Sequence, residues 1–185
     1  MQVPMTIEYR KDPKTGAPII EGDGANDSIH ISSVTGFDGK PTGELAVYAH
    51  TGGNTPSVTI YIDAEAAARG LQVHGGGGDD YLVVAPECSA GVALYGGDGN
   101  DLIRGSAGDD YIEGGAGDDI VMGNGGDDLV AGGLGEDQVH GGTGANTLIG
   151  DDPAHPADTA SDSFFVAGED TVLDKQFQDW KFSEF

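Results

Sequence analysis

The chain has 185 residues, with 32 acidic side chains against 8 basic ones, a formal net charge of −24, 33 glycines and a single cysteine. Such an acidic balance excludes nucleic acid and anionic membrane as primary partners, one cysteine excludes an intrachain disulfide framework, and no apolar run reaches the ~20 residues of a membrane-spanning helix. The length allows one or two domains at most.

In chain order, the first predicted element is a hairpin. It has strands at Met5–Tyr9 and Ile19–Ile20 around the turn-rich KDPKTGAP, and it is placed to cover the first open edge of a coil built by the glycine-rich region. The opening MQVPMTIEYRK has neither a basic n-region nor a long apolar core, so it does not read as a Sec signal; an export signal would lie elsewhere or on a removed or missing segment. Next, GDGANDSIHI (Gly22–Ile31) looks like a worn copy of the nine-residue repeat that begins at Gly75, with Asp27 and Ile29 in its key places and Ala25 where a glycine is expected. Strands are predicted at Leu45–Tyr48, Val58–Ile62 and Leu71–Val73, separated by the turns FDGKPTG and HTGGNTP. They make wider rungs of a coil or strands packed on its end. DAEAAARG is read as a loop or one helical turn on the outside.

From Gly96 to Ile149 the chain is six consecutive nine-residue units, GGDGNDLIR, GSAGDDYIE, GGAGDDIVM, GNGGDDLVA, GGLGEDQVH and GGTGANTLI, and a seventh, GGGGDDYLV, begins at Gly75. Each unit divides into a six-residue glycine-rich turn and a three-residue strand whose middle residue alternates inward: Leu82, Ile103, Ile112, Val121, Val130, Val139 and Leu148. An apolar residue at all seven inward places argues against a flexible Gly/Asp-rich linker. Two units then make one turn of a flattened right-handed coil, so units n and n+2 stack, roughly 4.8 Å apart. This brings Asp80, Asp101, Asp119 and Asp137 together on one edge, and Asp110, Asp128 and Asn146 on the other. Two stacked turns offer carboxylates and backbone carbonyls, the hard oxygen set that calcium takes at about 2.3–2.6 Å. Without a cation the carboxylates repel, and a three-residue strand with one apolar side chain buries too little to fold alone. Metal binding is thereby coupled to folding.

Between Gly75 and Gly96 the spacing is 21 residues rather than 18; the surplus is APECSAG, which makes one turn a longer loop without an aspartate. Cys88 lies there with no histidine beside it in sequence and reads as an incidental thiol, at the surface or partly buried. After Ile149 the insertion GDDPAHPADTAS precedes DSFFV, with Asp162 and Phe164 in register, and GEDTVLD, with Asp170 and Val172 in register. The tail KQFQDWKFSEF carries Phe177, Trp180, Phe182 and Phe185, a cap or part of a C-terminal secretion signal. Enzyme motifs are missing: the sequence has no H-E-x-x-H, no G-x-S-x-G, and no phosphate-binding loop. The five histidines are scattered, and His74 and His140 are read as outward-facing filler rather than zinc ligands.

The pattern G-G-x-G-x-D-x-U-x resembles the calcium-binding nonapeptide of the RTX (hemolysin-type) proteins. The resemblance is strong over Gly75–Ile149 and weaker over Gly22–Ile31 and Asp162–Asp174. It implies an all-β fold, a right-handed parallel β-roll with an N-terminal strand cap and a C-terminal aromatic cap. It divides the chain into cap strands (1–74), the roll (75–149) and interrupted final rungs (150–185). It also implies ligands: second and fourth carbonyls and the sixth carboxylate of one turn, with first and third carbonyls and the sixth carboxylate of the next. On the first edge these are Gly76, Gly78 and Asp80 with Gly96, Asp98 (carbonyl) and Asp101; Gly97, Gly99 and Asp101 with Gly114, Ala116 and Asp119; and Gly115, Gly117 and Asp119 with Gly132, Leu134 and Asp137. On the second they are Ser106, Gly108 and Asp110 with Gly123, Gly125 and Asp128, and Asn124, Gly126 and Asp128 with Gly141, Thr143 and Asn146. About five calcium ions are expected in all. Asn146 departs from the pattern, so its site is expected to be weak or missing.

The sequence supports two functional readings. In the first, the chain is a non-enzymatic, secreted, calcium-dependent module, exported by a type I secretion apparatus and folding outside the cell in an adhesion, structural or effector-display role. In the second, it is the accessory module of a secreted enzyme, for example a carbohydrate-active protein such as an alginate epimerase. A neighbouring catalytic domain on the full-length product would favour the second. The extracellular partner is not named by the sequence.

Overall fold

The computed structural model describes residues 7–50, 58–151, 162–167 and 169–173. The chain enters through a hairpin, β1 (Glu8–Lys11) and β2 (Pro18–Glu21), paired antiparallel with Tyr9 opposite Ile20. Asp12 closes its turn by accepting the N–H groups of Lys14 and Thr15 at 2.8 and 2.7 Å. Then come β3 (Ser28–Thr35), β4 (Pro41–His50) and β5 (Val58–Ile62), which form an antiparallel meander. A single helical turn, α1 (Ala64–Ala67), comes next; its N-cap Asp63 accepts the Ala66 N–H at 2.8 Å.

The coil proper runs through β6 (Leu71–Gly77), β7 (Tyr81–Val84), β8 (Val92–Asp98), β9 (Leu102–Arg104), β10 (Tyr111–Ala116), β11 (Ile120–Gly125), β12 (Leu129–Leu134), β13 (Gln138–Thr143), β14 (Thr147–Asp151), β15 (Ser163–Phe165) and β16 (Thr171–Leu173). Alternate strands join two sheets, ordered β1-β2-β6-β8-β10-β12-β14-β16 and β15-β13-β11-β9-β7-β3-β4-β5. Within the coil all pairings are parallel, with Ile112 opposite Val130 and Val121 opposite Val139, as the two-unit period requires.

All seven expected inward residues, Leu82, Ile103, Ile112, Val121, Val130, Val139 and Leu148, are fully buried. Each apolar side chain so buried contributes roughly 1.5–3 kcal/mol, but a rung offers only two. The N-terminal end is richer. Ile20, Ile29, Ile31, Leu45, Val47, Ile62, Leu71 and Val84 all join the same core. The hairpin caps the first sheet as expected. Within the Ser32–His74 stretch, β4 and β5 extend the second sheet antiparallel rather than make wider rungs, while Leu71–His74 joins the first sheet in parallel.

Two local expectations are corrected. Ala66 and Ala67 of α1 are 5 % exposed and belong to the core, so this turn closes the coil end instead of lying outside it. Cys88 is 2 % exposed, with its backbone N–H donating to the Ala85 carbonyl, so the long loop folds inward over the core. Burial pushes its thiol pKa up, the opposite of what a nucleophile needs. Phe164 fills the inward place of β15. Residues 174–185, including the expected aromatic cap or secretion signal, lie outside the described residues.

Candidate metal centre

The turns that join the sheets stack into two edges. On the first, Asp27, Asp80, Asp101, Asp119, Asp137 and Asp162 form one ladder. Each backbone N–H donates to the next aspartate's Oδ1, at 2.6, 2.7, 2.7, 2.8 and 3.0 Å. Asp27 of the worn copy and Asp162 thus stack in register with the intact turns. The second edge repeats the arrangement from Val92 N–H through Asp110, Asp128, Asn146 and Asp170, at 2.8, 2.9, 2.9 and 3.2 Å.

The other carboxylate oxygen behaves differently. Oδ2 of Asp80, Asp101, Asp119, Asp128 and Asp137 is buried with no hydrogen-bond donor among the described residues, although these side chains are only 1–3 % exposed. An ionised oxygen left so is costly. Its cost appears as raised pKa values, first through desolvation: Asp80, Asp119 and Asp128 to about 7, Asp101 to about 6 and Asp137 to about 8. Four of these oxygens, those of Asp80, Asp101, Asp119 and Asp128, lie beside the first carbonyl of the next turn. A Cβ on Gly75 would collide with both Asp80 Oδ2 and the Gly96 carbonyl. The same holds at Gly96 for Asp101 with Gly114, at Gly114 for Asp119 with Gly132, and at Gly123 for Asp128 with Gly141. At Gly105 the same cradle joins Asp110 Oδ2 with the Gly123 carbonyl, so on the three first-edge pairs and both second-edge pairs the structure brings together an upstream carboxylate and the downstream first carbonyl that the sequence assigned to one ion. The third carbonyls of Asp98, Ala116, Leu134 and Thr143 each already accept a glycine N–H, from Gly78, Gly99, Gly117 and Gly126 at 2.7–3.0 Å. That leaves each a second lone pair.

Among the described residues no point gathers three or more His, Cys, Asp or Glu side chains. The donor set is therefore paired carboxylate with backbone carbonyl, which suits a hard, oxygen-seeking cation of flexible coordination and not zinc. Orphaned anionic oxygens in a dry, carbonyl-lined row fit calcium. The histidines do not enter: His74 stacks on Tyr95 at 4.5 Å and His140 on Phe165 at 3.9 Å, both on the outer faces of the sheets.

One turn breaks the pattern. In the turns above, the second residue lies in the left-handed region, as Gly97 does at φ 120° and Asn124 at φ 77°. Neither Ser106 nor Gly108 does. The Ser106 N–H donates to Asp110 Oδ2 at 2.5 Å and its hydroxyl to Oδ1 at 2.9 Å, while Val92 N–H also reaches Oδ1. The Ser106 carbonyl still faces the next turn, accepting the Gly125 N–H at 3.3 Å, so what distinguishes this turn is the N–H and hydroxyl turned onto its own carboxylate. Asn146 also departs, as foreseen: its Nδ2 donates to Asp170 Oδ1 at 2.9 Å.

A second ladder was not foreseen. The fifth residues of the turns accept backbone N–H groups from the neighbouring turn: Asn26 from Asp79, Asp79 from Asn100, Asn100 from Asp118 and Asp118 from Glu136, at 2.9–3.1 Å. Asp109 and Asp127 do the same on the second edge, for Asp127 and Ala145 at 2.9 Å. The run of Asp or Asn at this place, ending at Glu136 and Ala145, was the available signal. The two ladders point in opposite directions, so each stacked pair is tied both ways.

A family model described as the RTX calcium-binding nonapeptide repeat (4 copies) matches residues 72–84, 95–130 and 131–152. No curated protein and no solved structure matches the chain.

Proposed function

From a chain that carries RTX calcium-binding nonapeptide repeats wound into a parallel β-roll, we propose a calcium-dependent folding module of secreted type, non-enzymatic, whose role outside the cell is structural, adhesive or the display of an effector. The observation that carries this reading is the row of buried carboxylate oxygens without donors at Asp80, Asp101, Asp119, Asp128 and Asp137. Those oxygens would hold calcium together with the carbonyls of Gly96, Gly114, Gly132 and Gly141. Bound calcium supplies the positive charge that relieves desolvation and repulsion along each edge. The residues of the chain do the rest: Oδ1 of each aspartate fixes its carboxylate against the preceding turn, and the inward aliphatic residues register the strands. Where calcium is scarce the edges favour the unfolded chain, which suits threading through a type I secretion apparatus; where it is millimolar the coil closes.

The test is circular dichroism in chelator, in calcium and in magnesium. We expect a chain largely disordered in chelator, with residual β-structure, and a gain of β-structure in calcium that magnesium does not give, because magnesium demands a smaller, near-octahedral site. A fully folded protein in chelator would remove the folding switch while leaving calcium binding to be measured directly.

A further inference from the structure

We propose that Ser106 is a built-in plug: it closes the Asp110 turn to metal and makes the roll one-sided, with calcium held mainly along the edge of Asp80, Asp101, Asp119 and Asp137. This rests on the calcium reading above.

The observation is a correlation within one molecule. Asp80, Asp101, Asp119, Asp128 and Asp137, each with an orphaned Oδ2, belong to turns whose second residue, Gly76, Gly97, Gly115, Asn124 or Gly133, has positive φ. In two turns where the second residue keeps an ordinary φ, its N–H turns toward the carboxylate and occupies Oδ2: Ser106 on Asp110, and Asp23 on Asp27 at 2.9 Å. Backbone conformation at the second place thus decides whether the carboxylate is open. Glycine visits the left-handed region freely and asparagine tolerates it, whereas serine does not favour it. Asn124, one turn away on the same edge, is the internal control: it is not glycine, yet it has positive φ and leaves Asp128 open.

At Asp110 the closure is double. The Ser106 hydroxyl adds a second donor, on Oδ1, and is itself held in place by accepting the Gly108 N–H at 3.0 Å. The Ser106 N–H on Oδ2, with the Val92 N–H and the Ser106 hydroxyl on Oδ1, gives both oxygens of Asp110 a donor. The neighbour above this turn is the long loop Ala85–Gly91, which has no aspartate. Its Ala90 carbonyl, 3.1 Å from the Ser106 hydroxyl, is the alternative acceptor for that group's single proton, and its Cys88 carbonyl accepts the Ala107 N–H at 2.8 Å. The turn is therefore joined to the loop by hydrogen bonds where an ion would join two aspartate turns elsewhere. On this edge Asn124 Nδ2 also binds the Gly105 carbonyl at 2.8 Å, and Asn146 binds Asp170. Ser106, Asn124 and Asn146 are neutral hydrogen-bonding residues along a seam whose counterpart is almost purely carboxylate.

The experiment is calcium stoichiometry by isothermal titration and by native mass spectrometry on the full chain. Asp110→Asn is expected to leave the number of bound ions unchanged in the wild-type background. Ser106→Gly is expected to add one ion, and that ion is lost again in the Ser106→Gly, Asp110→Asn double variant. Ser106→Ala removes the hydroxyl but not the backbone constraint and is expected to add none. If Asp110→Asn alone removes an ion, Asp110 is a ligand in the native roll and the proposal fails. If Ser106→Gly folds in calcium and gains nothing, it also fails. If no calcium binds to wild type at all, it is the underlying reading that has failed and not the plug alone.

Discussion

The two edges of the roll are built on the same nine-residue spacing, yet they are chemically unequal. The first stacks six aspartates, from Asp27 to Asp162, without an interruption of the hydrogen-bond ladder. The second holds Asp110, Asp128, Asn146 and Asp170, with Ser106 and Asn146 donating to carboxylates directly. The contrast teaches that a repeat fixes where side chains stand, while single residues in the turn decide what they bind.

The largest effect that would sharpen this contrast is on the first edge. Asp119→Ala should lower the calcium stoichiometry by two, because Asp119 lies between two turns with open carboxylates, and Asp80→Ala by one, because the Asp27 turn on its other side has its Oδ2 occupied by the Asp23 N–H. Equal losses in titration calorimetry would mean that Oδ1, engaged by the upstream N–H at 2.7 Å for Asp101 onto Asp119, serves no ion, and that each carboxylate holds a single cation.

Acid provides the next test. For the open aspartates the folded pKa, about 6 to 8, lies above the ordinary value of 3.8, chiefly through desolvation. The metal-free fold is therefore unpenalised below the unfolded pKa and loses stability as pH rises through the folded values. In chelator, lowering pH from 8 to 5 should raise Tm. In calcium the same change should lower it, since protons compete for the ligands. Parallel trends in the two solutions, tracked by thermal melts, would contradict a shared role for these oxygens.

Asn146→Asp has a smaller, conditional effect. It replaces the Nδ2 donor to Asp170 by a second carboxylate, losing a hydrogen bond of about 1–3 kcal/mol to a charged partner. We expect a lower Tm than wild type in chelator and recovery to wild type or above in excess calcium. A Tm in excess calcium that stays below wild type would show that the hydrogen bond to Asp170, not a cation, is what this end of the second edge needs.

The smallest effect concerns the outer ladder. Asp118→Ala removes the acceptor of the Glu136 N–H and should cost about 0.5–1.5 kcal/mol, with faster amide exchange at Glu136. Asp118→Asn keeps the oxygen and drops a charge, so it should be neutral or stabilising. If both variants behave alike, the ladder carries no stability of its own.

Much of this was legible in the sequence because the period is strict. Ile112 and Val130 stand 18 residues apart and pair as neighbours, and Asp27 and Asp162 align with the intact turns despite their altered surroundings. The Ser106 turn was not legible when carbonyls were counted, since serine has a carbonyl like any residue; the missing consideration was φ. The fifth-position ladder escaped because an exposed aspartate looks the same whether or not it accepts a neighbouring N–H. The antiparallel extension of β3 escaped because hairpin turns such as FDGKPTG do not say which sheet they lengthen.

That extension sets a sequence of events in time. β3 pairs antiparallel with β4 on one side and parallel with β7 on the other. The meander is local, rests on an ordinary aliphatic core, and forms quickly without help. The parallel contact of Ile29 with Leu82 then closes a loop of 53 residues, whereas the later rungs close loops of 18 to 25. By chain statistics that closure costs about 1 kcal/mol more than one of 18 residues. The coil is therefore expected to wait at its N-terminal template and then to propagate rung by rung toward β16, a lag and then a run.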